Sequence, residues 1–257
     1  MIYDCFIFYD EMLLLEIRLN ELYPFVDKFV LVEATHSFSG KEKPLYYDEA
    51  KDNDTFARFK DKIIHVIFHM SPKPNRWDNE YDQRNAIKPG LRGANPDDII
   101  MISDVDEIIN PEVFPIIKET SVPGRLQMKN YYYYFNCRSN NIWYYPAFCR
   151  LKNYSSAQFL RNGNCHKIIV PNAGWHFGYL MTADKIADKL EAFSHSEFDT
   201  DFYKNQDRIQ KCLDSGVDLF GRAGITYSIE PLDAPKYVMN NIDKYRQFIK
   251  TEVTALL

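Results

Sequence analysis

No stretch of this chain is apolar for the roughly 20 residues that a membrane-spanning helix needs, and no basic leader with a cleavage site precedes strand-like Ile2 to Phe8. The expectation is a cytoplasmic protein without a membrane span. Cys5, Cys137, Cys149, Cys165 and Cys212 form no Cys-x-x-Cys pair, and scattered cysteines in odd number argue against a disulfide framework or a zinc cage. Positive charge is not in excess either: the formal net charge of -5 gives no electrostatic reason to expect nucleic acid. Internal repeats, low-complexity tracts and linkers are missing, so one domain over residues 1–257 is expected. Acids are missing from one long segment. From Thr120 to Ala183 there is no Asp or Glu, while Arg125, Lys129, Arg138, Arg150, Lys152, Arg161 and Lys167 all fall there.

What is present suits a globule. With 257 residues, 46% of them hydrophobic and 26% charged, the chain can bury a sizeable core and is not generally disordered. Aromatic residues reach 15%, including 18 Tyr and 18 Phe. Tyrosine combines a flat apolar face with a polar tip, as sugar-binding and interface surfaces require, besides filling cores.

Runs at Tyr3–Tyr9, Lys28–Glu33, Ile63–Phe68 and Ile99–Ile102 read as strands, and helices are predicted after Asp10, from about Arg76 to Lys88, and from Pro111 to about Glu119. Asp10 is expected to cap the first of these helices. This alternation predicts an α/β sheet with parallel neighbours. After Pro123 the aromatic runs Arg125–Asn136 and Asn141–Leu151 read as long antiparallel strands. A short strand at Lys167–Val170 and helices near Thr182–Phe193, Asp201–Asp214 and Pro235–Thr251 follow.

The chemistry gathers at Asp97–Ile109. Ile99 to Ile102 suit a strand buried on both faces, and the chain then meets Asp104, Asp106 and Glu107. In open α/β sheets the carboxyl ends of strands are where ligands bind. If strand geometry persists, Asp104 and Asp106 point to one side and offer two oxygens to a hard divalent cation such as magnesium or manganese. A calcium loop does not fit, because neither a correctly spaced third acid nor a Gly follows. Glu33 ends another strand, where it either anchors the following loop or meets a ligand.

Gln83-Arg84-Asn85-Ala86, a helix, Asn95-Pro96-Asp97-Asp98, an apolar strand and Asp104-Val105-Asp106 resemble the nucleotide-sugar half of GT-A glycosyltransferases. The Glu-Ile-Arg-Leu-Asn-Glu-Leu core within Glu11–Leu22, Val26–Glu33 with Phe38-Ser39-Gly40 and Lys43-Pro44, and Ser103–Ile108 narrow the resemblance to glycosyltransferase family 17, the β-1,4-mannosyl-glycoprotein β-1,4-N-acetylglucosaminyltransferase family. The resemblance implies a Rossmann-like GT-A fold with a mixed central sheet, a nucleotide-sugar half at about 1–120 and an aromatic-rich acceptor half at about 121–257. It also implies inverting transfer of N-acetylglucosamine from a UDP-sugar to a glycan, with Mn2+ or Mg2+ as cofactor. Animal relatives carry a membrane anchor, and none is expected here, so fold and donor chemistry are expected to carry over more securely than the acceptor.

The resemblance assigns Asp104, Asp106 and a late His, here His176, to the metal, and Arg84 and Asn85, with Glu33 and Asp104, to the nucleotide-sugar. Arg84 either pairs with phosphate or orders the acidic loop; His176, between Trp175 and Phe177, is either a ligand or a packed core residue. Gly174 and Gly178 would let backbone approach closely. The acid-free segment cannot supply the catalytic base such a reaction needs, which leaves Glu107 and Glu197, with Glu107 ahead because its neighbours already place it at the reaction edge. Two other readings stand beside this one: a haloacid-dehalogenase-like phosphohydrolase using Asp104 and Asp106, and a non-catalytic glycan-binding module.

Overall fold

The structure is a computed structural model and describes residues 1–251. Its first half follows the predicted alternation. Strand β1 (Ile2–Phe8) is buried at every residue, helix α1 (Met12–Leu22) returns the chain, and β2 (Lys28–Ala34) pairs parallel to β1. After α2 (Tyr46–Ala50) come β3 (Ile63–Phe68), α3 (Arg76–Asn85) and β4 (Ile99–Asp104). The parallel order is β3-β2-β1-β4, with Phe8 opposite Glu33 and Ile7 opposite Asp104. The carboxyl ends of three strands thus share one edge. Helix α3 is polar because it meets this edge through donors: the Gln83 side-chain amide bonds the carbonyls of Phe8 (3.2 Å) and Val32 (3.0 Å).

Next are β5 (Glu107–Ile109), α4 (Phe114–Glu119), β6 (Gly124–Leu126), β7 (Lys129–Tyr132), β8 (Cys137–Ser139) and β9 (Ala147–Arg150). They are followed by α5 (Ala157–Asn162), β10 (Ile168–Val170), β11 (Gly174–Gly178), α6 (Ala183–Ala192), α7 (Asp201–Lys204), α8 (Gln206–Ser215) and β12 (Tyr227–Ile229). The first sheet continues from β4 through antiparallel β9 to β6 and β10, which makes it mixed. A second sheet runs β12-β8-β7-β11-β5. The α/β class with a mixed central sheet and an aromatic-rich second half is therefore the one observed.

Helix α1 lies between the sheets. Leu15, Leu19 and Leu22 join the core of the first, while Leu14 and Ile17 pack with Ile108, Tyr131, Trp175 and Phe177 of the second. This double burial explains its broad apolar surface. Ile87, Ala157 and Leu160 cover the opposite face of the first sheet, and α6 and α8 cover Tyr132 and Tyr133.

Several expectations are corrected. The first long aromatic strand, Arg125–Asn136, is divided between the sheets, β6 in the first and β7 in the second; the second, Asn141–Leu151, is a strand only at β9, in the first sheet, and β8 falls between the two runs. The switch is at Gln127, whose amide bonds Val170 and whose carbonyl accepts from Ala173; Tyr133, at φ 66°, ends β7. The helix expected over Asp201–Asp214 breaks at Asn205, whose side chain caps α8, and Pro235–Thr251 folds as short turns rather than one helix. Asp10 does not cap α1; Glu11 holds the cap position and accepts the amides of Tyr9 and Asp10. Strand geometry also stops at Asp104. Val105 and Asp106 form a turn into β5, so simple alternation does not carry through to Asp106.

Gly174 makes the close approach expected of it, against β5. At φ +143° its added Cβ would stand 2.1 Å from the Ile108 carbonyl oxygen, inside the β5–β11 pair. Gly174→Ala is expected to cost on the order of 3 kcal/mol through backbone strain and overpacking, lowering the melting temperature by roughly 6–12 °C. A melt within about 2 °C of wild type would show that this contact relaxes freely.

Candidate active site

The turn from β4 to β5 brings three carboxylates together with very different surroundings. Asp104 accepts from Arg84 Nη2 (3.0 Å) and from Arg161 Nη2 (2.6 Å), one guanidinium on each oxygen. Burial would raise its pKa, but Arg161 and Arg84 outweigh burial and hold it at about 2. Glu107 is fully buried. Its Oε1 accepts from Trp143 Nε1 (2.5 Å) and Arg161 Nη2 (2.8 Å), and its Oε2 from Arg161 Nη1 (2.8 Å) and the Asp104 amide (2.6 Å).

Asp106 is the third and differs from both. Among the described residues no hydrogen bond reaches its carboxylate; the Lys189 ammonium lies 3.7 Å and His176 Nε2 3.8 Å from Oδ2. Burial pushes its pKa up to about 7, with Lys189 opposing and Asp104 and Glu107 adding to the rise. Lys189 is held by Glu11 at 3.3 Å. Glu11 and Asp106 together overcome burial and raise the pKa of that ammonium.

His176 lies on β11 opposite both Glu107 of β5 and Asn130 of β7. Its ring stacks on Trp143, with centroids 3.8 Å apart and planes 8° from parallel. Burial, with Lys189 and Arg161 adding to it, pushes its pKa down to about 3, so the ring is neutral. Nδ1 lies 2.8 Å from Asn130 Oδ1, a pairing that puts the proton on Nδ1 and leaves the Nε2 lone pair toward Asp106.

This geometry tests the metal expectation. Asp106 Oδ2 and His176 Nε2 stand 3.8 Å apart, wider than the roughly 3 Å between neighbouring ligands of an octahedral ion with bonds of about 2.1 Å, so the two side chains must close slightly to share one ion; the Asn130 bond is the support a ligating imidazole needs. Asp104 does not fit, since both oxygens carry guanidiniums. Among the described residues, no group of three His, Cys, Asp or Glu side chains is placed to hold a metal. Any ion here takes part of its shell from water or substrate.

The other predicted residues are placed as follows. Arg84 orders the acidic loop: besides Asp104 it bonds Glu80 (2.8 Å) and Gln158 (2.6 Å). Ser194 donates to the other Glu80 oxygen (2.5 Å), so the segment after α6 is tied through Glu80 and Arg84 to Asp104. Asn85 is exposed and accepts the Gln158 amide at the start of α5 (3.1 Å). Glu33 is the loop anchor and not a ligand contact: fully buried, it accepts the amides of Tyr47 and Asp48 and lies 3.1 Å from His65 Nε2. Glu197 is exposed and bonded to His195 (2.7 Å), a bond that outweighs its slight burial and lowers its pKa.

Residues that sequence reasoning did not assign complete the site: Arg161, Trp143, Asn130 and Lys189. One signal was available for Arg161. Buried acids need cations, and the acid-free segment is where spare ones lie. A cleft of about 60 Å³ opens beside Lys189 at the ends of β1 and β2, walled by Tyr9, Phe38 and Phe193. A larger cavity, about 830 Å³, lies elsewhere, between the end of α1 and the start of β11, and none of the three acids lines it.

Residues 1–252 match the model of Glycosyltransferase family 17. The chain belongs to that family. It is 25% identical to the β-1,4-mannosyl-glycoprotein 4-β-N-acetylglucosaminyltransferase of Rattus norvegicus and 24% identical to that of Homo sapiens, each over 92% of this chain and 52% of the relative. The chain thus spans about half the length of the curated relatives it matches. Among solved structures it is similar to the galactosyltransferase LgtC in complex with donor and acceptor sugar analogs (12% identity, 66% of this chain and 73% of that one, TM-score 0.37). A second is S. aureus TarS (11% identity, 81% and 68%, TM-score 0.41). The phosphohydrolase expectation loses its footing, because a nucleophilic first Asp needs a free oxygen and Asp104 has neither.

Asp106 makes stability pH-dependent. With its folded pKa near 7 against an ordinary 3.8, the folded state keeps a proton that the unfolded chain releases, so stability falls as pH rises from about 4 to 7. In chelator, Asp106→Asn should melt roughly 5 °C or more above wild type at pH 8 and close to it near pH 4. A difference that does not change with pH would show that Asp106 titrates normally.

Proposed function

We propose that this protein transfers N-acetylglucosamine from a UDP-sugar to a glycan, with inversion and with help from a divalent cation. The observation that carries the reading is the half-buried Asp106 carboxylate, without a hydrogen bond among the described residues, facing the neutral His176 nitrogen at 3.8 Å at the carboxyl ends of the parallel strands. The names of the curated relatives support the sugar and the acceptor class. Asp106 and His176 would hold Mn2+ or Mg2+, which when bound offsets the negative charge left on the departing diphosphate. Lys189 adds a fixed positive charge beside them, and Tyr9, Phe38 and Phe193 offer aromatic walls at the ends of β1 and β2, in a cleft of about 60 Å³ that must widen to admit a nucleoside base. Asp104 acts as the anchor for Arg84 and Arg161.

The base is reassigned within this proposal. A base must reach the acceptor hydroxyl, and Glu107, fully buried with both oxygens occupied, holds Arg161 and Trp143 instead. Glu197 is the reachable acid of the two. A second reading dispenses with the metal: Lys189 at 3.7 Å from Asp106, and the lack of a three-ligand group among the described residues, favour a transferase whose counter-charge is its own ammonium.

Titration of UDP with and without manganese separates these readings. On the metal reading, Asp106→Ala and His176→Ala each weaken manganese-dependent UDP binding about tenfold or more without a matching loss of fold; affinity unchanged by chelator supports the lysine reading. Glu197→Gln should lower transfer about a hundredfold or more while UDP affinity stays within about twofold. Near-normal transfer in that variant would move the base elsewhere.

A further inference from the structure

We propose that Arg18 is a positioning residue for the acidic turn, setting where the Asp106 carboxylate stands without touching it. Arg18 sits in the middle of α1, between the sheets, and is wholly inaccessible to solvent. Its Nε bonds Asp4 Oδ2 (2.8 Å), and its Nη2 bonds Asp4 Oδ1 and Ser103 Oγ (2.5 Å each). Its Nη1 donates to the carbonyls of Asp104 and Glu107, both at 2.9 Å, the two residues that bracket the turn. The guanidinium therefore spans the central strand, through Asp4 of β1, and both ends of the β4–β5 turn.

Asp106 depends on this arrangement more than its neighbours do. Asp104 and Glu107 are held by side-chain bonds to Arg84, Arg161 and Trp143, so their positions are fixed twice. Asp106 has no side-chain hydrogen bond among the described residues, and its local anchor is its carbonyl, which accepts the Phe177 amide at 2.9 Å. Its carboxylate stands where the backbone puts it. That backbone is fixed by the Phe177 amide on one side and by the two Arg18 bonds on the other. A buried ion pair such as Arg18–Asp4 adds little net stability compared with apolar packing, whereas the planar fork of arginine can serve three directions at once. Lysine, with one nitrogen, can pair with Asp4 or hold the carbonyls, but not span both.

The link to substrate rests on the proposed UDP-sugar reading; the link to the turn does not. The test therefore uses hydrogen exchange of the ligand-free protein and UDP titration in manganese, for Arg18→Lys and for Ile117→Ala, a core variant in α4 chosen to lose comparable melting temperature. In Arg18→Lys, exchange at the amides of Asp104 and Phe177 should rise roughly tenfold, with β2 and α8 unchanged, and UDP affinity should fall roughly tenfold. Ile117→Ala should leave both readouts as in wild type. Wild-type exchange and affinity in Arg18→Lys, or the same losses in Ile117→Ala, would overturn the proposal. If wild type itself does not bind UDP, the donor reading fails while exchange still decides the role of Arg18. Should Arg18→Lys not fold, Ser103→Ala removes one acceptor and keeps the ion pair. An exchange rise of about threefold at Asp104 is then expected, and unchanged exchange would refute the role.

Discussion

Burying carboxylates is costly unless cations come with them, and the site is built around that constraint. Arg161 answers most of it. From α5 it lies between Asp104 and Glu107, bonding both carboxylates, and no other described side chain donates to the carboxylates of both. Because Arg161 enters from the aromatic half and the acids end the first parallel strands, this guanidinium also ties the two halves of the chain at the reaction edge. Glu107 in turn orients Trp143, and Trp143 lies flat on His176. Remove the charge balance and the imidazole loses its platform as well as its neighbour.

The acids divide by what satisfies them. Two are consumed by structure, which leaves Asp106 with a raised pKa and an open coordination side. Differences of this kind mark functional positions when they occur in a cleft, because a group left unsatisfied by the protein is available to a ligand. The neutral state of His176 belongs to the same logic: its burial and the Lys189 charge both disfavour an imidazolium, and a neutral nitrogen is what a cation can use.

Much of this was legible in the sequence. Ile99 to Ile102 announced a strand buried on both faces, because local apolar runs report burial directly, and the acids after it marked the candidate site. The identity of the free acid was not legible. Asp104 and Asp106 are alike as letters, and only Arg84 and Arg161, 20 and 57 residues away, distinguish them. The aromatic half was misread for a similar reason: local β-propensity cannot show that a run changes sheets at Gln127. Glu33 is a milder case, since a strand-end acid serves a ligand or a helix start equally well until α2 is placed over it.

The bonds from Ser194 to Glu80, from Glu80 to Arg84 and from Arg84 to Asp104 form one continuous path. Its outer end lies beside Phe193, a wall of the aromatic cleft; its inner end is the acid beside the proposed ion site. Thermodynamic linkage makes such a path reciprocal. On the proposed reading, whatever free energy a nucleoside spent in ordering the cleft wall would be felt as a change in the affinity of the acidic turn for a cation, and a cation bound there would tighten the wall to the same degree. The two halves of a nucleotide, base and diphosphate, would then be recognised cooperatively by a protein that touches them at separate places.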